Sequence, residues 1–154
     1  MIPDLAELLT RSRRLLFIGV GNLLKGDDGV GAVISNLITE RPGLLALTVE
    51  VSIENYIGKI RSLSPEEMVI IDCMELGEVP GTYRLVELGS VEDLTFNTHN
   101  ISLNRLGEFF NWPTYVLGIQ PQDLSLGQEL SPPVRRAAGE IAGLINQPPA
   151  ANGG

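Results

Sequence analysis

Leu15-Leu-Phe-Ile-Gly-Val-Gly-Asn-Leu-Leu-Lys-Gly-Asp-Asp-Gly-Val-Gly31 decides the fold class. Residues 15–20 form an almost unbroken apolar run of strand length, as expected of a strand covered on both faces. A glycine turn follows, and apolar spacing over 30–38 predicts a helix. Strand, turn and helix in that order begin a parallel α/β sheet. The turn is no phosphate cradle: a dinucleotide fingerprint needs glycine at position 24, where Leu24 stands. A P-loop needs Lys-Ser/Thr after Gly26, where Asp27 and Asp28 stand. Two carboxylates at the mouth of such a turn repel an anion and suit a cation, a developing positive charge or a proton transfer.

Outward from this unit the alternation continues. Residues 47–53, 68–73 and 114–119 are rich in strand formers and bounded by Gly, Pro or Asn, and 81–88 reads as an edge strand entered through Pro80-Gly81. Helical spacing joins Leu5, Leu8 and Leu9; Tyr56, Ile60 and Leu63; and Leu103, Leu106 and Phe110. Ser131-Pro132 is a helix start, and Val134, Ala138, Ile141 and Ile145 give the last helix one apolar face. The pattern predicts a three-layer α/β/α sandwich around a mostly parallel, twisted sheet of about five strands. Residues 1–147 are expected to form a single domain, with 148–154 a frayed Pro/Gly-rich tail.

Composition narrows the partners. A formal charge of -8 argues against nucleic acid and anionic membrane surfaces. No run approaches the ~20 apolar residues of a membrane span, so a soluble protein without membrane insertion is expected. The single cysteine, Cys73, cannot form an internal disulfide, which agrees with a cytoplasmic location. It reads as a small core residue, since nothing near it in sequence supplies a base or lowers its pKa.

In sheets of this kind ligands bind beyond the carboxyl ends of the strands. Asp27 and Asp28 follow the first strand, Asp72 ends the run 68–72, and Thr98-His99-Asn100 follows the fourth strand. If strands one, three and four are neighbours, Asp28, Asp72 and His99 share one rim. Two carboxylates and an imidazole form a ligand set for a borderline divalent metal with positions left open, weakly binding for want of a thiolate. Asp27 reads either as a cap of the following helix or as a support for Asp28. An aspartate directly after Met-Val-Ile-Ile is costly to bury without a purpose, which favours a functional Asp72.

These residues carry a resemblance. The segment Gly19 to Gly31 with its Asp27-Asp28-Gly29 centre, Val69-Ile-Ile-Asp-Cys-Met74, Pro80-Gly-Thr-Tyr-Arg84, Thr98-His99-Asn100 followed by Leu103, and Leu117-Gly-Ile-Gln-Pro121 run in one order. As a set they resemble the [NiFe]-hydrogenase maturation endopeptidases, most of all the branch serving formate-hydrogenlyase-type hydrogenases. The resemblance implies an enzyme that removes the C-terminal extension of a hydrogenase large-subunit precursor once nickel is in place. The family's nickel-contacting and catalytic positions map onto Asp28, Asp72 and His99. Where other branches place glutamate, this chain has Asp28, a reach shorter by one methylene. The implied partner is the C-terminal region of the precursor, which supplies the nickel, and no organic cofactor is expected. Two alternatives stand beside this reading. One is a non-catalytic metal-handling or scaffolding protein that binds the precursor. The other is a general zinc peptidase, disfavoured because no His-Glu-x-x-His helix is present.

Overall fold

The computed structural model describes residues 3–50, 52–89, 95–96, 103–127 and 129–147. Strand β1 (Leu15–Val20) is buried at every position, as an apolar run covered on both faces must be. It pairs in parallel with β2 (Leu44–Val49) on one side and β3 (Glu67–Glu75) on the other. Beyond β3 lies parallel β6 (Thr114–Ile119), and beyond that antiparallel β4 (Tyr83–Glu87), giving the order β2-β1-β3-β6-β4. A short β5 (Thr95–Phe96) pairs antiparallel with Glu75 and Met74, off this path. The mostly parallel α/β sheet expected from the sequence is what forms.

Three differences in detail have physical causes. The second strand begins at Leu44, three residues before the expected start: Leu15 N–H donates to the Gly43 carbonyl, so pairing with β1 opens at that turn. Strand four lies at the edge, as expected, but β6 separates it from β3, so strands one, three and four are not all neighbours. Asp72 does not end its strand, because pairing of Met74 and Glu75 with β5 carries β3 three residues past it.

Side-chain alternation divides the core. Val69, Ile71 and Cys73 face one layer, made by α1 (Leu5–Arg11), α2 (Val30–Leu37) and α5 (Pro132–Asn146). Met68, Ile70 and Met74 face the other, with Ile60 of α3 (Ile57–Leu63), Leu106 of α4 (Leu103–Leu106) and Phe110. Helix α2 lies so close to the sheet that a Cβ on Gly31 would collide with the carbonyl oxygens of Ile71 and Val20. That close approach, which only glycine permits, sets the height of the Gly26–Gly29 turn above the strand ends. At the opposite end of β3, Glu67 accepts from Arg11 at 2.6 Å and ties α1 to the sheet. No helix among the described residues is long and apolar enough to cross a membrane. The expected tail, 148–154, lies outside the described residues.

Candidate active site

Asp28 stands in a 3-10 turn, Gly26–Gly29, between β1 and α2. It is fully buried. Its Oδ2 accepts one hydrogen bond from the Asn22 backbone N–H at 3.1 Å, and its Oδ1 has no hydrogen-bond partner among the described residues. A buried carboxylate oxygen is costly to leave bare, so an unmatched acceptor here marks a place where a donor or cation belongs.

Asp72 is likewise fully buried, on the strand beside β1 and at the same carboxyl end of the sheet. Its Oδ1 accepts from the Cys73 N–H at 2.8 Å. Burial pushes its carboxyl well above the usual carboxylate range; the nearby charge of Asp28 pushes it further, and the Cys73 N–H opposes the rise. The two carboxyl groups therefore interact. Beside Asp28 in a dry site, the Asp72 carboxyl either retains its proton or gains from a cation that offsets its charge.

The third expected ligand, His99, lies outside the described residues together with Thr98 and Asn100. Among the described residues no group of three potential metal ligands forms. The chain leaves the described part of this loop at Phe96, whose backbone is paired with Met74, two residues beyond Asp72.

Asp27 does not cap the helix that follows it. The N-cap position of α2 is Gly29, and no side chain caps that helix. Instead the fully buried Asp27 carboxylate reaches the connection between β6 and α5. Its Oδ2 accepts from Gln122 N at 2.8 Å, Asp123 N at 2.9 Å and Ser131 Oγ at 2.7 Å, and its Oδ1 accepts from Ser131 N at 2.7 Å. Ser131 is the N-cap residue of α5 with Pro132 after it, as expected, yet its hydroxyl serves Asp27 and no backbone N–H of its own helix.

Sequence reasoning also missed the part played by Gln120. This buried side chain donates from Nε2 to both Glu75 oxygens, at 3.0 and 3.0 Å, while its Oε1 accepts from Leu76 N at 2.6 Å. It pins the chain leaving β3 to the end of β6. The signal was the stretch Gly118-Ile-Gln-Pro121, which closes the last strand and belongs to the motifs that carry the resemblance, but which names no partner for the glutamine.

Comparison with known proteins follows the same lines. The family profile described as hydrogenase maturation protease matches residues 51–147. The hydrogenase 3 maturation protease of Escherichia coli K12 is 28% identical over 124 residues, covering 77% of this chain and 80% of its own length. Among solved structures, the [NiFe] hydrogenase maturation protease HycI of Thermococcus kodakarensis KOD1 superposes with a TM-score of 0.78 at 23% identity, over 93% of this chain and 99% of that one. The solution structure of the E. coli endopeptidase HycI superposes with a TM-score of 0.74 at 26% identity, covering 84% and 86%. With more than half of its length matched by the family profile, in a fold shared with these proteases, the chain belongs to the hydrogenase maturation protease family.

Proposed function

We propose that the chain is an endopeptidase that cuts the C-terminal extension from a [NiFe]-hydrogenase large-subunit precursor after nickel has been inserted, and that Asp28, Asp72 and His99 read the nickel. The observation that carries this reading is the pair of fully buried, interacting carboxyls at the carboxyl end of the sheet, one with an oxygen that has no partner among the described residues. Such a pair gains most from a partner that brings positive charge. Nickel is part of the substrate in this scheme: a precursor with cysteine thiolates holds it far more tightly than two carboxylates and an imidazole. When bound, the ion supplies a positive centre with open positions.

The chain's own residues orient and exclude. Asp28 and Asp72 meet the loaded precursor from two adjacent elements, so the scissile peptide is held in one orientation. Burial of both carboxyls keeps bulk water away, and a carboxylate accepts a proton from the attacking water. Its oxygen bonds to the peptide carbonyl carbon, the C–N bond breaks, and the leaving amine takes up the proton. An empty precursor offers these carboxyls no charge, which supplies discrimination without a sequence-specific pocket.

Mass spectrometry of precursor incubated with the metal-free protease tests this. Nickel-loaded precursor loses its extension in nickel-free buffer, and the apo precursor keeps its mass. Asp28→Ala, Asp72→Ala and His99→Ala each abolish the cut while the circular dichroism spectrum is retained. Efficient cutting of apo precursor refutes the nickel reading, and an unchanged mass in both arms points to the non-catalytic binder.

A further inference from the structure

Asp27 is the one carboxylate of the Gly26–Gly29 turn that the proposed reaction leaves unused. It lies beside Asp28 in sequence, yet all four donors on its two oxygens come from Gln122, Asp123 and Ser131, far along the chain. The backbones of the two segments are stitched as well. Asp27 N donates to Asp123 O at 2.9 Å, Gly26 N to Gly127 O at 2.8 Å, and Gly127 N to Leu24 O at 2.9 Å. The approach is tight: Gly26 has a left-handed φ of 55°, and a Cβ there would lie 2.7 Å from the Asp123 carbonyl oxygen. Among the described residues the Asp28 carboxyl, by contrast, has one backbone hydrogen bond and one oxygen without a partner, so its place relative to Asp72 follows wherever the turn's backbone is held.

We propose that Asp27 is a positioning residue for the cleavage reaction, clamping the β6–α5 connection onto the turn so that Asp28 is fixed against Asp72. The inference rests on the endopeptidase reading. Its plain competitor is a stability clip for the start of α5, with no influence on the reaction. The two differ in what they predict well below the melting temperature. A clip changes how often the protein unfolds, whereas a clamp changes the geometry of every folded molecule. Misplacing a reacting group by about 1 Å costs on the order of 100-fold in rate.

Asp27→Asn keeps the size of the side chain but sets an amide N–H₂ against backbone N–H donors, Ser131 N in the Oδ1 place or Gln122 N and Asp123 N in the Oδ2 place. Ser131→Ala is the milder variant. It removes one hydroxyl donor from Asp27 Oδ2, and that hydroxyl caps no backbone group of α5. Steady-state processing of nickel-loaded precursor, well below each variant's Tm, is expected to show kcat reduced about 100-fold in Asp27→Asn. In Ser131→Ala the fall is several-fold, with KM unchanged in both. Amide hydrogen exchange is expected to speed up at Asp28, Gln122 and Asp123 while Val69, Ile70 and Ile71 keep their wild-type rates. Wild-type kcat in folded variants, or exchange that rises evenly over the whole chain, overturns the clamp. If Asp27→Asn fails to fold, Ser131→Ala decides by the same criteria. The readings fail separately: cutting of apo precursor by the wild type sinks nickel recognition and leaves the variant-to-wild-type ratios standing. A wild type that cuts neither precursor overturns both.

Discussion

Replacing Gly31 by alanine sets two effects of opposite sign against each other. Gly31 is the second residue of α2, where alanine is favoured by about 0.8–1.0 kcal/mol on helix propensity alone. Against this, the new Cβ would run into the carbonyl oxygens of Ile71 and Val20. Both are backbone atoms in paired strands, so neither can rotate aside as a side-chain end would. Overpacking of this kind costs about 1–3 kcal/mol where the surroundings can adjust, and here they adjust poorly. The collision outweighs the propensity, leaving a net loss of about 1–2 kcal/mol. For a chain of this size that lowers Tm by roughly 2–8 °C. The same collision has a second effect. Helix α2 can relieve it only by lifting off the sheet, and the turn bearing Asp28 rises with the helix. Processing should therefore fall far more steeply than stability, by roughly 100-fold for a lift near 1 Å. Thermal unfolding by circular dichroism and a processing time course on the same preparation read both. A Gly31→Ala protein that melts at or above the wild-type temperature would refute the claim that close helix–sheet contact requires this glycine.

Two further outcomes follow from the site. Asp72 has a folded-state pKa raised by burial and by Asp28, so the folded state holds its proton more firmly than the unfolded chain does. Its contribution to stability is therefore lost as pH rises from the ordinary carboxylate range toward the raised value. Asp72→Asn removes that loss while keeping an acceptor for Cys73 N–H: denaturant unfolding should show the variant more stable than wild type at neutral pH, the gap closing as pH falls toward about 4. A variant less stable than wild type at pH 7 contradicts the sign. Cys73→Ala trims a buried side chain and should cost about 1 kcal/mol while keeping most of the processing rate; a folded but inactive variant would bring the thiol back into the chemistry.

What could be read from the sequence was whatever rests on local pattern. The continuous apolar runs at β1, β3 and β6 identified central strands, since burial on both faces leaves no polar position. Asp72 stood out because charge directly after an apolar run is expensive without a role, and Asp28 because it sits in a glycine turn after the first strand where a phosphate cradle would have other residues. The second strand was placed three residues late. Its Leu44–Val49 segment is only partly buried and begins with Leu and Ala, while the β-branched run that drew attention starts only at Thr48, near the strand's end, and Ile53 opens a 3-10 turn. The two-residue β5 is too short to leave a periodic trace. The partners of Asp27 were invisible for a different reason. They lie 95 to 104 residues away, and no local pattern reports a bond that only the folded topology creates.

The face on which Cys73 lies gives the protein a built-in reporter. It is the chain's single thiol, wholly inaccessible beneath the α1, α2 and α5 layer, one residue from Asp72 and on the opposite side of the strand. A thiol-specific reagent can reach it only when that layer parts from β3, so labelling follows the opening event. When reclosing is fast, the labelling rate gives the population of the open form; at high reagent concentration it approaches the opening rate itself. With one site there is no averaging over cysteines. The kinetics of a single colour change therefore report how often the strand beneath the candidate active site comes free, in the native protein and without any engineered label.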